Sequence, residues 1–157
     1  MENVISTMTA SDPEAVVPPP PQSRMYRLLR TGDQAVSFEG LAIAESAGKQ
    51  INGRERDRGH DLRVYQTIGG NYVVEVIYWT TWKGEAEVRT VQVVGKELPR
   101  IAVLLKEYDP LAHVLGYPPA ERFAAKQSRL QARLRADYYT RVSDVLAQLP
   151  DAVERIK

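Results

Sequence analysis

Cysteine is absent from the 157 residues of the chain, and histidine occurs only twice. The absence of cysteine excludes disulfides, thiolate catalysis and cysteine-ligated zinc. Neither His60 nor His113 has a second histidine three or four residues away, so the sequence predicts no metal site. We also expect no other cofactor.

Long apolar runs are absent as well. None approaches the roughly 18–20 residues that a membrane-spanning helix needs, so we expect no membrane contact. The N-terminus lacks both a basic start and an uninterrupted apolar core, which argues against a secretory signal. Together with the missing cysteines, these features favour a cytoplasmic protein.

Catalytic signatures are missing from the sequence. It contains no G-x-S-x-G, no G-x-x-x-x-G-K-[ST] and no G-x-G-x-x-G motif. His60-Asp61 has the residue types of a base and its orienting carboxylate, but no nucleophile is identifiable beside it. We therefore expect a protein that is not an enzyme and has no catalytic residue.

The overall charge is nearly balanced, with 21 Lys and Arg residues against 20 Asp and Glu residues. Residues 1–22 contain acids and no base, so the remainder of the chain is mildly basic. This excess falls short of the charge that is typical of an obligate nucleic-acid binder. Global charge therefore gives no strong indication of a partner.

Length and composition predict one domain between two tails. Residues 1–24 read as a disordered tail, because four consecutive prolines follow a stretch with little apolar periodicity. Residues 25–150 form a single predicted domain, and residues 151–157 form a C-terminal tail. The apolar fraction of 43% is ordinary for a folded domain.

Alternation of apolar and polar residues predicts about five antiparallel strands between positions 25 and 94. A first hairpin covers 25–31 and 35–44, and a three-stranded meander covers 61–94. Residues 45–60 are polar and rich in glycine, which indicates a long exposed loop.

After Gly95 the apolar period changes to 3.6, which indicates helices. One helix begins near Pro99, a short helix follows Asp109, and the longest helix begins at Pro118-Pro119 and ends before Pro150. The predicted fold is α+β: an antiparallel meander of about five strands followed by amphipathic helices packed on the sheet.

The register of the meander follows from its first turn. If Gly69-Gly70 forms a two-residue turn, Val64 lies opposite Glu75 and Leu62 lies opposite Ile77. Both faces of the sheet are then largely apolar, whereas a half-solvated sheet alternates. We expect helices on one face and a second layer, a twin subunit or a ligand on the other, and a homodimer is one such assembly.

A row of cations marks one side of the longest predicted helix. Its members recur at intervals of four, three and four residues, which places them on one solvent-facing arc: Arg122, Lys126, Arg129 and Arg133. Such a row can follow a phosphate backbone. The alternatives are a solvated face that keeps the helix soluble and a contact with an acidic protein.

Three further arginines alternate with acids in the predicted loop: Arg54, Arg56 and Arg58. Alternating signs favour ion pairs within the loop. These arginines join the basic surface only if the fold places the loop beside the longest helix.

Aromatic residues are concentrated in the meander. The candidates for base stacking or for a protein interface are Trp79, Trp82, Tyr65 and Tyr78. The alternative is that these rings form the core and pair across strands. Trp82 is the strongest candidate for exposure, because it lies beside a turn, where burial is hardest.

These patterns predict a non-enzymatic binding module, a small accessory subunit of a nucleic-acid-handling assembly. The basic helix would contact phosphate, and the sheet aromatics would contact bases or a sister subunit. The alternative is a protein–protein interaction factor, an adaptor or inhibitor, that uses an apolar face of the sheet.

Overall fold

The computed structural model describes residues 22–48, 50–51 and 54–149. Both predicted tails lie outside these residues, apart from positions 22–24, of which Arg24 already begins the first strand. Within the described part, the strands are β1 (Arg24–Arg30), β2 (Asp33–Ser46), β3 (Gln50–Ile51), β4 (Arg54–Glu55), β5 (Arg58–Thr67), β6 (Tyr72–Thr80) and β7 (Val88–Gly95). The helices are α1 (Pro99–Glu107), a 3₁₀ turn (Glu121–Phe123) and α2 (Ala124–Gln148).

Five of the strands form one antiparallel sheet in the order β1-β2-β5-β6-β7. Successive strands are neighbours, and the small ribbon of β3 and β4 is inserted between β2 and β5. The predicted α+β class and the antiparallel meander of about five strands are confirmed.

The turn between β5 and β6 corrects the predicted register by one residue. It is a three-residue loop, in which the Gly70 N–H donates to the Thr67 carbonyl at 2.9 Å and Gly70 has a φ of +92°. This is the usual three-residue hairpin, in which a left-handed residue follows a type I turn. Val64 therefore lies opposite Val74 and not opposite Glu75. A register that is wrong by one residue assigns the side chains of one strand to the wrong face relative to its partner strand.

One buried apolar cluster contains side chains from one face of the sheet and from both helices. Leu62 and Val64 of β5 and Val76 of β6 belong to it, together with Leu105 of α1 and Val145 of α2. Burial of each such side chain stabilises the fold by roughly 1.5–3 kcal/mol. Side chains of both helices and of β5 and β6 thus share this buried cluster.

The other face of the sheet closes on itself. The sheet curls until the turn after β1 meets β7, where the Thr31 N–H donates to the Arg89 carbonyl at 3.0 Å. A second buried cluster fills the inner face; its members and the half-buried side chains packed on it are Leu28, Tyr65, Val73, Val91, Tyr26, Val36 and Phe38. The sheet itself therefore covers the face that we assigned to a further layer. The homodimer was predicted because one face of the sheet was expected to be uncovered. Since that face is covered, the homodimer stays a prediction that this observation no longer supports.

Two predicted segments differ from the structure. The loop predicted over 45–60 is replaced in part by strands, and Arg58, Gly59 and His60 are buried in β5. The short helix predicted after Asp109 is wrong, since only isolated turns follow this residue. Side chains from other elements draw the backbone away from a helix there: the Leu115 N–H donates to Glu85 and the Tyr117 N–H donates to Gln127, both at 2.8 Å.

His60 occupies an aromatic environment between the sheet and the helices. The centroid of its ring lies 5.3 Å from that of Tyr78, 5.7 Å from that of Tyr108 and 5.0 Å from that of Tyr138. Neither ring nitrogen has a hydrogen-bond partner among the described residues. Burial, with a smaller contribution from the charge of His113, lowers the pKa of His60 from 6.5 to about 4. The folded protein therefore holds this imidazole neutral.

We expect the free energy of unfolding to fall as the pH decreases from 6.5 to about 4, because only the unfolded chain protonates His60 in this range. Above pH 6.5 the imidazole is neutral in the folded and in the unfolded chain, so His60 takes nothing from the free energy of unfolding. The lowered pKa corresponds to a loss of about 3 kcal/mol in that free energy once the pH has fallen to about 4. Replacing His60→Leu should remove this part of the pH dependence in chemical denaturation. Carboxylates titrate in both proteins, so the effect of His60 is the difference between their two curves of unfolding free energy against pH. Parallel curves would show that His60 does not cause the loss of stability.

Candidate functional site

A cleft of about 650 Å³ lies between the first half of α2 and the segments that precede β5 and follow β6. We call it the basic cleft, and its lining residues are Asp57, Arg58, Trp82, Tyr117, Lys126, Arg129, Leu130, Ala132 and Arg133. Four bases and one acid line it, so its local charge is positive. Asp57 and Arg58, which were predicted in the long loop, thus lie beside Lys126, Arg129 and Arg133 of the predicted basic row.

Helix α2 forms the cationic wall of the cleft. Spacings of three and four residues align Lys126, Arg129 and Arg133, while Leu130 and Leu134 on the next stripe are buried and hold the helix in place. Lys126 and Arg129 are exposed, and no acid of the described chain lies within ion-pair distance of either. These two cations are therefore available to an anion.

Arg133 is partly neutralised by Asp57. Its guanidinium lies 3.5 Å from the Asp57 carboxylate, and both side chains are more than a third exposed. An ion pair in such a position contributes little to stability, about 0–1 kcal/mol. A bound anion could therefore take the place of Asp57 at small cost.

Two contacts hold the indole ring of Trp82 in the cleft, one at the edge of the ring and one at a face of the ring. The indole N–H donates to the Asp57 carboxylate at 2.7 Å, and the Arg58 guanidinium lies 4.4 Å from the ring centroid. The residue nevertheless remains 43% exposed. Because its orientation is fixed before any partner binds, little side-chain entropy is lost when the exposed part is covered.

The Arg58 side chain is only 5% exposed, because it belongs to a buried network around Glu85. The Glu85 carboxylate is 1% exposed and lies 2.9 Å from the Arg58 guanidinium. It also accepts hydrogen bonds from the Tyr78 hydroxyl at 2.8 Å, the Thr80 hydroxyl at 2.7 Å and the Leu115 N–H at 2.8 Å. Burial and the bond to Glu85 raise the pKa of the Tyr78 hydroxyl, so it remains a donor.

The other predicted cations lie outside the lining of the cleft. Arg122 belongs to the 3₁₀ turn and not to the helix, and its guanidinium lies 4.8 Å from the Phe123 ring centroid. Arg56 is half-buried and lies 3.4 Å from Asp137 of α2. Arg54 is in β4. The predicted row is thus divided between the cleft and the turn that precedes the helix.

The alternating charges predict that Arg56, Asp57 and Arg58 pair within their own loop, and in the structure each of them pairs with a residue outside it. Arg56 pairs with Asp137, Asp57 pairs with Arg133, and Arg58 pairs with Glu85. These contacts fix the loop to α2 and to the segment after β6, which is why it lines the cleft.

The structure separates the four aromatic candidates. Tyr65 and Tyr78 are buried, and their hydroxyls donate to Glu75 and Glu85, so neither ring is accessible for stacking in this fold. Trp79 is half-buried, packs against Gly59 and donates to Asp61 at 3.1 Å. Only Trp82 of the four is exposed, in accordance with its place beside a turn.

Three residues of this site were not singled out from the sequence: Asp57, Glu85 and Tyr117. Asp57 was considered only as one charge of the alternating loop. Glu85 follows a turn at Lys83-Gly84, in which Gly84 has a φ of +90°, and an acid beside a turn usually faces solvent. Tyr117 precedes Pro118, and no pattern in the sequence connects it with Trp82.

Among the described residues, no three His, Asp or Glu side chains are grouped in a way that could hold a metal ion. The same residues include no helix with the length and apolar character needed to cross a membrane. Comparison with protein-family models, with curated proteins and with solved structures gives no match to this chain.

We predict that Glu85→Ala lowers the free energy of unfolding by about 3–5 kcal/mol, because it leaves the Arg58 charge buried without its partner. The control is Glu87→Ala, which removes a carboxylate that lies 2.6 Å from Arg89 but is half-exposed. That change should cost less than about 1 kcal/mol. Urea denaturation measures both variants, and equal losses would show that the buried network has no special role.

Proposed function

We propose that the protein is a non-enzymatic binding module that contacts the phosphate backbone of nucleic acid through the basic cleft. In this role it serves as a small accessory subunit of a nucleic-acid-handling assembly. The observation that carries the proposal is the convergence of two exposed cations, Lys126 and Arg129, with Trp82 in one concavity, where neither cation has an ion-pair partner among the described residues.

The charges of the cleft support an anionic partner. Lys126, Arg129 and Arg133 come from successive turns of one helix, so their charges lie along a line. A nucleic-acid backbone also presents its charges along a line, and each phosphate that pairs with a cation releases bound counterions. Guanidinium groups in addition match the geometry of phosphate oxygens.

Asp57 sets the strength of this contact. Its carboxylate repels phosphate and occupies Arg133, while it also holds the indole of Trp82. A phosphate that approaches Arg133 competes with Asp57 for the guanidinium. The acid thus limits non-specific affinity without removing the positive charge of the cleft.

Replacing Lys126→Ala together with Arg129→Ala should weaken the binding of oligonucleotides and flatten its dependence on salt. The slope of log K against log salt concentration should fall by about one unit for each phosphate that the cleft no longer binds. Both side chains are exposed, so the thermal midpoint should stay near that of the unmodified protein. Fluorescence anisotropy at several salt concentrations measures the effect.

The matched control is Arg27→Ala with Arg135→Ala, which changes the net charge by the same amount. Arg27 lies on β1, and Arg135 is exposed about 200° around α2 from Arg133. Equal losses in the two double variants would mean that net charge and not the cleft attracts the oligonucleotide. If the unmodified protein binds neither single strands nor duplexes at about 50 mM salt, the proposal fails.

Asp57→Asn should tighten the binding of the same oligonucleotides roughly fivefold, because it removes a negative charge from the cleft and releases Arg133. Asparagine keeps an oxygen that accepts the indole N–H, so Trp82 should retain its position. Anisotropy titrations at low salt compare the variant with the unmodified protein. An unchanged affinity would show that phosphate does not enter the cleft.

A second candidate function is a protein–protein interaction factor. On the edge strand β1, Met25 and Leu29 point to the same side and are at least half exposed, as is Ile68 at the tip of the β5–β6 hairpin. The Ile68 N–H donates to the carbonyl of Glu39, which lies opposite Met25. This apolar patch supports an adaptor or inhibitor, and association through it should be insensitive to salt and to nuclease.

A further inference from the structure

The exposed part of Trp82 lies within concave surroundings. The ring lines the basic cleft and also an adjoining cavity of about 280 Å³, whose other lining residues include Lys83, Leu115 and Pro118. Tyr117 lines both spaces as well. Trp82 and Tyr117 therefore share the boundary between the two cavities, and a flat group that enters there meets aromatic side chains.

The supports of Trp82 leave it few ways to move. Asp57 holds the edge of its ring, and Arg58 lies against one face. Arg58 is itself fixed by Glu85 and donates to the Leu115 carbonyl at 3.3 Å. The exposed surface of the indole is thus presented in a defined direction before any ligand arrives.

A duplex cannot use this surface, because its bases are already paired and stacked on one another. An unpaired base has a free face, and stacking on a tryptophan is largely independent of base identity. A cleft of about 650 Å³ has the size of a small-molecule pocket and so matches single nucleotides. The cations of α2 line the same cleft, where they can meet the phosphates next to a stacked base.

We propose that the basic cleft binds single-stranded nucleic acid, with an unpaired base stacked on Trp82 and adjacent phosphates on Lys126 and Arg129. This inference rests on the proposed function and adds the class of ligand to it. The shared chemistry is an unpaired base with a backbone phosphate, which both DNA and RNA strands supply.

The test compares Trp82→Leu with the unmodified protein on four probes: an oligo-dT strand, an oligo-U strand, a duplex of the same length, and the mononucleotide UMP. We expect the unmodified protein to prefer either single strand to the duplex. Trp82→Leu should reduce single-strand affinity about tenfold, with an unchanged salt slope, because it removes a stack and leaves the phosphate-binding cations in place. Its duplex affinity should not change.

A second measurement follows the ring directly. In Trp79→Phe the remaining tryptophan is Trp82, and its fluorescence should be quenched by oligo-dT and not by the duplex. Should Trp79→Phe fail to fold, fluorine NMR of protein labelled with 5-fluorotryptophan gives the same information in the unmodified chain. The resonance that shifts on titration should be the one that is missing in Trp82→Leu.

The outcomes separate this inference from the function on which it rests. Equal affinity for duplex and single strand, with no effect of Trp82→Leu, would overturn the stacking inference and leave the phosphate contact in place. UMP binding as tight as that of the strands would also overturn it, since the ligand would then be a free nucleotide. Absence of binding to every probe at about 50 mM salt would remove both proposals.

Discussion

The ion pair between Arg58 and Glu85 is the interaction on which the site depends. Taking two charges out of water costs several kcal/mol per ion, and a buried pair is tolerated only when its remaining hydrogen-bonding capacity is used. The carboxylate side of the pair meets this condition, because three donors besides Arg58 surround Glu85, whereas the buried Arg58 Nε has no hydrogen-bond partner among the described residues. Since these donors come from β6 and from the segment before the 3₁₀ turn, the pair fixes their positions relative to β5. Trp82 then lies on the guanidinium of Arg58.

The curl of the sheet determines which aromatic rings remain for a partner. Its inner face is filled by its own side chains, including Tyr65, and its outer face shares a cluster with the helices. Tyr78 lies beside His60 on that outer side, and His60 in turn lies beside Tyr138. Of the two tryptophans in the meander, only Trp82 is exposed. It lies beyond the end of β6 and not on a face of the sheet.

The sequence predicted features that depend on near neighbours in the chain. The alignment of Lys126, Arg129 and Arg133 follows from helical geometry, and the exposure of Trp82 follows from the adjacent turn. The burial of Arg58 could not be predicted, because its partner Glu85 is brought to it by strand pairing. The register was wrong because a Gly-Gly pair suits both two-residue and three-residue loops, and the one-residue difference decided which side chains share a face. The tails predicted at both ends fall almost wholly on residues whose structure is not described.

The bonds between Thr31 and Arg89 bear on the order in which the chain folds. They join positions 58 residues apart, whereas each hairpin of the meander joins strands that are close in sequence. Contacts between distant positions form slowly, since a long segment must be ordered before they contribute. We expect the hairpins to form first and the curl to close last. Until it closes, the apolar inner face is open to other chains, so a high concentration of incompletely folded chains favours aggregation over a finished fold.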